Sequence, residues 1–260
     1  MSVTYSSYLK LDELLSLQRP VSDRPEHYET LFIVIHQVYE LWFKEILHEL
    51  DYLETLLDRS DTPRALHTLR RILTILKVVV AQIDVLETMT PLEFLSFRAR
   101  LESGSGFQSF QFRELEFALG AKRREAVERY PAGSEGRRRL EARMARPTLW
   151  DAFLKYLAAR GCAVPATALA RDVTAPVTAS PELHPVLIDI YRRDQEASAL
   201  CERLVDLDEG IQEWRYRHVK MVQRTIGTRP GTGGSAGADY LVTTLDRPCF
   251  PDLWAIRTEL

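Results

Sequence analysis

Cysteine is scarce: Cys162, Cys201 and Cys249 are the only three in 260 residues, far apart and without a CxxC pair. This excludes a disulfide framework and a cysteine-built zinc site, and it fits a reducing compartment. Long apolar runs are missing too, since no stretch approaches the roughly 18 residues that a bilayer-crossing helix needs. The opening MSVTYSSYLKLDELL lacks a basic start followed by an apolar core, so no secretory signal and no membrane attachment are expected, and the expected location is cytoplasmic. Nor is there an excess of positive charge. With 34 Lys and Arg against 37 Asp and Glu the chain carries a formal −3, which argues against a dedicated nucleic-acid partner. One stretch, Lys122 to Arg146, is locally basic; Glu125, Glu128, Glu135 and Glu141 are interspersed in it, and it reads as a solvated face.

Strand-type alternation is almost absent and helical spacing dominates, so the expected fold is all-α, a helical bundle of long amphipathic helices forming one domain over 1–260. From Leu31 to Leu57 apolar residues recur every three or four positions, with Lys44, Glu45, Glu49 and Asp51 between them. A second helix is expected from about Pro63 to Met89. Its ILTILKVVVAQIDVL segment is apolar on most sides, which places it in the middle of a bundle. Thr90 caps a short helix, Leu92 to Leu101, because Pro91 is tolerated only in a first turn. Ser105 is placed to cap the next, Phe107 to Leu119, stopped by Gly120. The middle third offers one clear helix in TLWDAFLKYLAARG. From Pro181 to Ile226 the pattern reads as one very long helix, bent near Gly210 and stopped by Gly227, with a stripe through Leu200, Leu204, Leu207, Ile211, Trp214, His218, Met221 and Thr225. The closing CFPDLWAIRTEL is aromatic enough to dock.

Two isolated histidines stand on these stripes. His36 shares a face with Phe32, four residues earlier, and Tyr39, three later. It is either a core histidine satisfied by a backbone carbonyl or a group facing a ligand. His218 has Trp214 and Met221 on its face, with Arg215, Arg217 and Lys220 flanking. A haem suits that environment, since its iron needs one protein imidazole and nearby cations can neutralise its propionates. The loop 231–237, GTGGSAG, follows a helix rather than a strand and has no P-loop lysine, so both nucleotide fingerprints fail. Its glycines still offer backbone N–H donors, and Thr232 and Ser235 add hydroxyls, as in an anion cradle or a plain surface loop. Arg98, four residues after Phe94, has the planar fork that grips a carboxylate, whereas Arg100 and Arg113 look like surface arginines.

Four blocks of the chain resemble the tryptophan 2,3-dioxygenase family: TYSSYLKLDELL (4–15), LFIVIHQVYELWFKEILHEL (31–50), VLETMTPLEFLSFRARLESGSGFQSFQFRELEFALG (85–120) and WRYRHVKMVQRTIGTRPGTGGSAGADYL (214–241), with FPDLWAIRT near the end. The resemblance implies an all-helical homotetramer with one haem b per subunit. In it His218 is the proximal iron ligand beside Trp214, and His36 is the distal histidine that meets the indole N–H. Phe32 and Phe94 are pocket walls, Arg98 binds the substrate carboxylate, and Thr232 contacts the amino-acid head group. Ser105 and Gly106 lie over the distal face. Tyr5, Tyr8 and Leu9, within the 1–20 segment, reach a neighbouring subunit's pocket, and 121–180 is a variable helical insert. The implied reaction inserts O2 across the indole C2–C3 bond of L-tryptophan to give N-formyl-kynurenine. Ile35, Ile83 and the Ser-Ser between Tyr5 and Tyr8 depart from the family pattern near the pocket or its subunit contact. They leave open a substituted tryptophan, such as a β-methyl compound, and an oxindole-forming monooxygenation. A non-enzymatic haem sensor or carrier is the third reading.

Overall fold

The computed structural model describes residues 2–24, 26–102, 104–232 and 238–260. Among them the chain is helical and no strand occurs. Two short helices, α1 (Tyr5–Leu9) and α2 (Leu11–Leu14), lead into the long α3 (His27–Asp58) and α4 (Thr62–Leu86). Then follow α5 (Pro91–Arg98), α6 (Phe110–Ala118), α7 (Arg124–Glu128), α8 (Glu135–Ala145), α9 (Leu149–Ala159), α10 (Ala166–Leu169), α11 (His184–Arg193), the long α12 (Gln195–Ile226), α13 (Ala238–Val242) and α14 (Pro251–Ala255).

The expectation for α4 holds: it packs between α3 and α12, and Ala65, Ile72 and Val79 have no exposed surface. Gly210 of α12 permits the closest approach, because a Cβ built there would stand 2.6 Å from Cδ2 of Leu76 on α4. Its role is therefore contact between helices. Thr90 caps α5 with its hydroxyl on the Glu93 amide, and Glu93 returns the bond to the Thr90 N–H at 2.7 Å. A 3-10 turn, Ala99–Leu101, extends α5 to the expected end.

Three readings of the sequence need correction. The helix expected from Phe107 begins at Phe110: Ser105 caps a 3-10 turn, Gly106–Gln108, and Ser109 caps α6 by accepting from the Phe112 amide. The helix expected over Pro181 to Ile226 is two. At Asp194 the backbone is extended (φ −120°, ψ 93°), and its carboxylate accepts from the Ala197 amide at 3.0 Å and from Arg160. The basic stretch is only partly a solvated face. Lys122 is 2% exposed and donates to the carbonyls of Met144, Arg146 and Val173, while Arg143, 3% exposed, pairs with Asp51 and Glu114. Buried charge persists only with such partners.

The C-terminal segment docks as expected, with Phe250, Leu253 and Ile256 fully buried. Asp208 fixes it by accepting from the amides of Cys249 and Phe250 and from Nε1 of Trp254 at 2.9–3.0 Å. The three cysteines are free thiols, and no described helix is long and apolar enough to cross a membrane.

Candidate functional site

A cavity opens between α3, α5, α6 and α12, where the packed stripes of the long helices change from aliphatic to aromatic and polar. The first half of the α12 stripe, Leu200 to Ile211, is core; the second half, Trp214, His218, Met221 and Thr225, is cavity wall. On α3 the wall is Phe32, His36, Tyr39, Glu40 and Phe43. The empty space is about 1540 Å³ counted out to the open mouth.

His36 is bonded to a backbone carbonyl and lines the cavity. Its Nδ1 lies 2.7 Å from the carbonyl of Phe32, one turn back on α3. A carbonyl only accepts, so Nδ1 carries the proton and donates, which leaves Nε2 as an acceptor in the neutral ring. Burial lowers its pKa, against the Phe32 carbonyl and the charge of Glu40, so the ring is neutral. His218 is stacked on Trp214, with ring centroids 4.9 Å apart and planes 17° from parallel. Burial first, then the proximity of His36 and Arg113, lowers its pKa to about 4. A neutral imidazole is the form that ligates a metal.

Phe32 faces His36, with centroids 4.1 Å apart, and packs on Phe94 and Phe97 at 5.7 and 5.5 Å. Phe32 and Phe94 form an aromatic wall of the cavity, with the fully buried Phe97 packed against them. Arg98 and Thr232 stand at the mouth. Nη2 of Arg98 donates to the Pro230 carbonyl at 2.6 Å, and Oγ1 of Thr232 donates to the Gly104 carbonyl at 2.6 Å, so two loops are tied across the opening. Ser105 and Gly106 line the cavity as well.

The structure thus brings together Phe32, His36, Phe94, Arg98, Ser105, Gly106, Trp214, His218 and Thr232. Tyr5, Tyr8 and Leu9 do not join them; they lie exposed on α1. Ser235 falls outside the described residues. Of the two departures near the pocket, Ile83 is cavity wall, but Ile35 is core and does not line the cavity, so its side chain is no part of the substrate wall. Arg113, read as a surface arginine, is 8% exposed and lines the cavity, paired with Glu116 at 2.5 Å. Arg215 also lines it, whereas Arg217 turns away to Asp84 and Glu87. The spacing Arg113-x-x-Glu116, one turn of helix, was the available sign of a buried pair.

A haem fits the residues present. Among the described residues no group of three or more His, Cys, Asp or Glu is placed to hold a bare metal ion. A Cβ on Gly106 would meet nothing within 4 Å, so the cavity wall there is open as a planar group requires. Nε1 of Trp214, buried on the wall, has no partner.

Fold and site together define an all-α protein with an aromatic cavity suited to haem and a small aromatic ligand. The chain matches the family model described as tryptophan 2,3-dioxygenase over residues 1–135 and 177–260. It is 62% identical over 259 residues to the tryptophan 2,3-dioxygenase of Herpetosiphon aurantiacus, covering 100% of this chain and 99% of that one. It is 59% identical to that of Anaeromyxobacter sp. strain K (100% and 97%) and 45% identical to that of Caulobacter vibrioides (99% and 98%). The chain belongs to the tryptophan 2,3-dioxygenase family, which is a haem-dependent family of oxidoreductases.

Proposed function

We propose that this protein is a haem-dependent oxygenase that inserts both atoms of O2 across the indole C2–C3 bond of L-tryptophan to give N-formyl-kynurenine, in tryptophan catabolism. The observation that carries the reading is the pairing, in one cavity, of a neutral ligand-type imidazole on α12 with an acceptor imidazole, an aromatic wall and a guanidinium at the mouth. Relatives 56–62% identical over their full length are named tryptophan 2,3-dioxygenases, so neither the oxindole-forming reading nor the haem sensor is favoured.

We assign one haem b per subunit, with His218 as the iron ligand and Trp214, Ser105 and Gly106 beside the ring. Bound haem supplies the iron at which O2 is activated. The chain's own residues bind and orient. Phe32 and Phe94 hold the indole between apolar faces and exclude water from it. Nε2 of His36 accepts from the indole N–H; its proton inventory is fixed by the Phe32 carbonyl, so it orients the ring without acting as a strong base. Arg98 exchanges the Pro230 carbonyl for the substrate carboxylate, a better acceptor for a fork of two N–H donors. Thr232 meets the head group. Fixing both ends of the substrate limits the orientations open to the indole, the proximity effect on which such a reaction depends.

We infer further that the whole chain is one domain, that 121–180 is a variable helical insert, and that the protein is a cytoplasmic homotetramer. In that assembly the exposed Tyr5, Tyr8 and Leu9 complete a neighbouring subunit's pocket. The family model leaves 136–176 unmatched, which supports the insert. The site assignment is tested by two variants. His218→Ala should lose both the Soret band and turnover, whereas His36→Ala should keep haem and turn over more slowly; full turnover by the His218 variant would overturn the assignment.

A further inference from the structure

The two cavity imidazoles are oriented by different contacts. In each, the torsion that turns the ring about its Cβ–Cγ bond is broad, so the helix backbone alone does not fix the ring plane. His36 is fixed by a hydrogen bond, from Nδ1 to the Phe32 carbonyl at 2.7 Å. Among the described residues no hydrogen bond ties either nitrogen of His218. What meets its ring is the face of Trp214, one turn back on α12, with centroids 4.9 Å apart and planes 17° from parallel. The indole is held in turn. Phe112 of α6 packs on it at 4.5 Å and 38°, and Phe43 of α3 meets it edge to face at 6.2 Å and 84°. Phe43 and Phe112 lie 5.4 Å from each other and belong to the buried core, 5% and 9% exposed. A relay of rings therefore runs from packed core to imidazole, each plane set by the ring behind it.

We propose that Trp214 is a positioning residue for the iron ligand: wedged by Phe43 and Phe112, its indole face fixes the plane of the His218 imidazole and so presents that ligand in a single orientation. The proposal rests on the haem reading above. It goes beyond placing Trp214 beside the macrocycle, because it gives the side chain a task toward His218 itself. Ligating histidines are commonly oriented by a hydrogen bond from the second ring nitrogen to a carboxylate or carbonyl, which also raises their basicity. A stacked face constrains the plane without adding charge. Nε1 of Trp214 is buried and has no partner among the described residues, so the face and the N–H of this side chain are separable by substitution. Phenylalanine keeps a face and loses the donor, whereas leucine loses both.

The test is the iron–histidine stretching band in resonance Raman spectra of the ferrous, haem-loaded protein, with a Soret titration of the apo-protein beside it. Wild type should show one narrow band. Trp214→Phe should keep its position and width and bind haem within about twofold of wild type. Trp214→Leu should broaden or split the band, as the imidazole takes more than one orientation, and should weaken haem binding by about three- to tenfold, the scale of one stacked aromatic pair. Phe112→Leu, which removes the wedge behind the indole, should broaden the band by a smaller amount, so the test does not depend on one variant folding. Phe94→Leu, at a wall residue that packs on Phe32 rather than on Trp214, should leave the band as in wild type. Trp214→Leu and Phe112→Leu bands identical to wild type, or equal broadening by Phe94→Leu, would overturn the proposal. So would a Trp214→Phe band as broad as that of Trp214→Leu, since the N–H and not the face would then hold the ring. A wild-type protein that develops no Soret band would overturn the haem reading itself.

Discussion

Replacing Arg98 with alanine separates the amino-acid grip from every other feature of the cavity. In the free protein the guanidinium already makes one bond, to the Pro230 carbonyl at 2.6 Å. Binding a substrate carboxylate replaces that single bond by a bidentate ion pair, so the net gain is about one charge-assisted hydrogen bond, ~1.5–3 kcal/mol. Arg98 is half-buried at the open mouth, where solvent screening favours the lower part of that range. The expected loss in kcat/KM for L-tryptophan is therefore about 10- to 50-fold. Tryptamine, which has the indole and amine but no carboxylate, should be a poor substrate for wild type and should lose less than about threefold more in the variant. Arg98→Lys should fall between, because it keeps the charge and loses the fork. The assay is steady-state turnover of both compounds by haem-loaded protein. Equal losses for tryptophan and tryptamine would refute the reasoning, since Arg98 would then act only by tying the loops together.

Glu116→Gln should lower stability near pH 7 by about 3 kcal/mol, because three buried guanidiniums lose their shared carboxylate. It should also flatten the acid limb of the stability curve. Burial alone would raise the pKa of Glu116, but Arg113, Arg123 and Arg215 hold it below its ordinary 4.5, so its stabilisation is complete above that pH and is lost as pH falls through the folded value. Urea melts from pH 3 to 7 would show both effects, and parallel curves for the two proteins would contradict them. Gly210→Ala should destabilise by about 1–2 kcal/mol, although alanine is the better helix former, because the new Cβ would press on Leu76, which is 4% exposed and cannot swing into solvent. A raised denaturation midpoint would show that α4 and α12 approach less closely than described.

The long helices were legible because their stripes bury large apolar side chains at strict spacing, and Thr90 was legible as a cap because Pro91 follows it. The break at Asp194 was not, since apolar spacing continues through it and the carboxylate that caps α12 looks like any surface acid. Ser105 and Ser109 are both competent caps, and only the packing of α6 on α3 and α8 decides which begins the helix. The same limit applies to the charged residues. Lys122 and Arg143 are buried because acceptors distant in sequence meet them, as Glu116 meets Arg215 across 99 positions, and no local pattern records such a meeting. Within the site, the residues that carry ring or imidazole chemistry could be picked out by type and spacing. Of those that set charge, the Arg113–Glu116 spacing was visible locally, but the convergence of Arg123 and Arg215 on Glu116 required the fold.

The most direct test of the central claim is the mass of the product that haem-loaded, reduced protein forms from L-tryptophan under 18O2. The account predicts N-formyl-kynurenine carrying two labelled oxygens. An oxindole with a single labelled oxygen would contradict it, as would unchanged tryptophan from protein that binds haem fully.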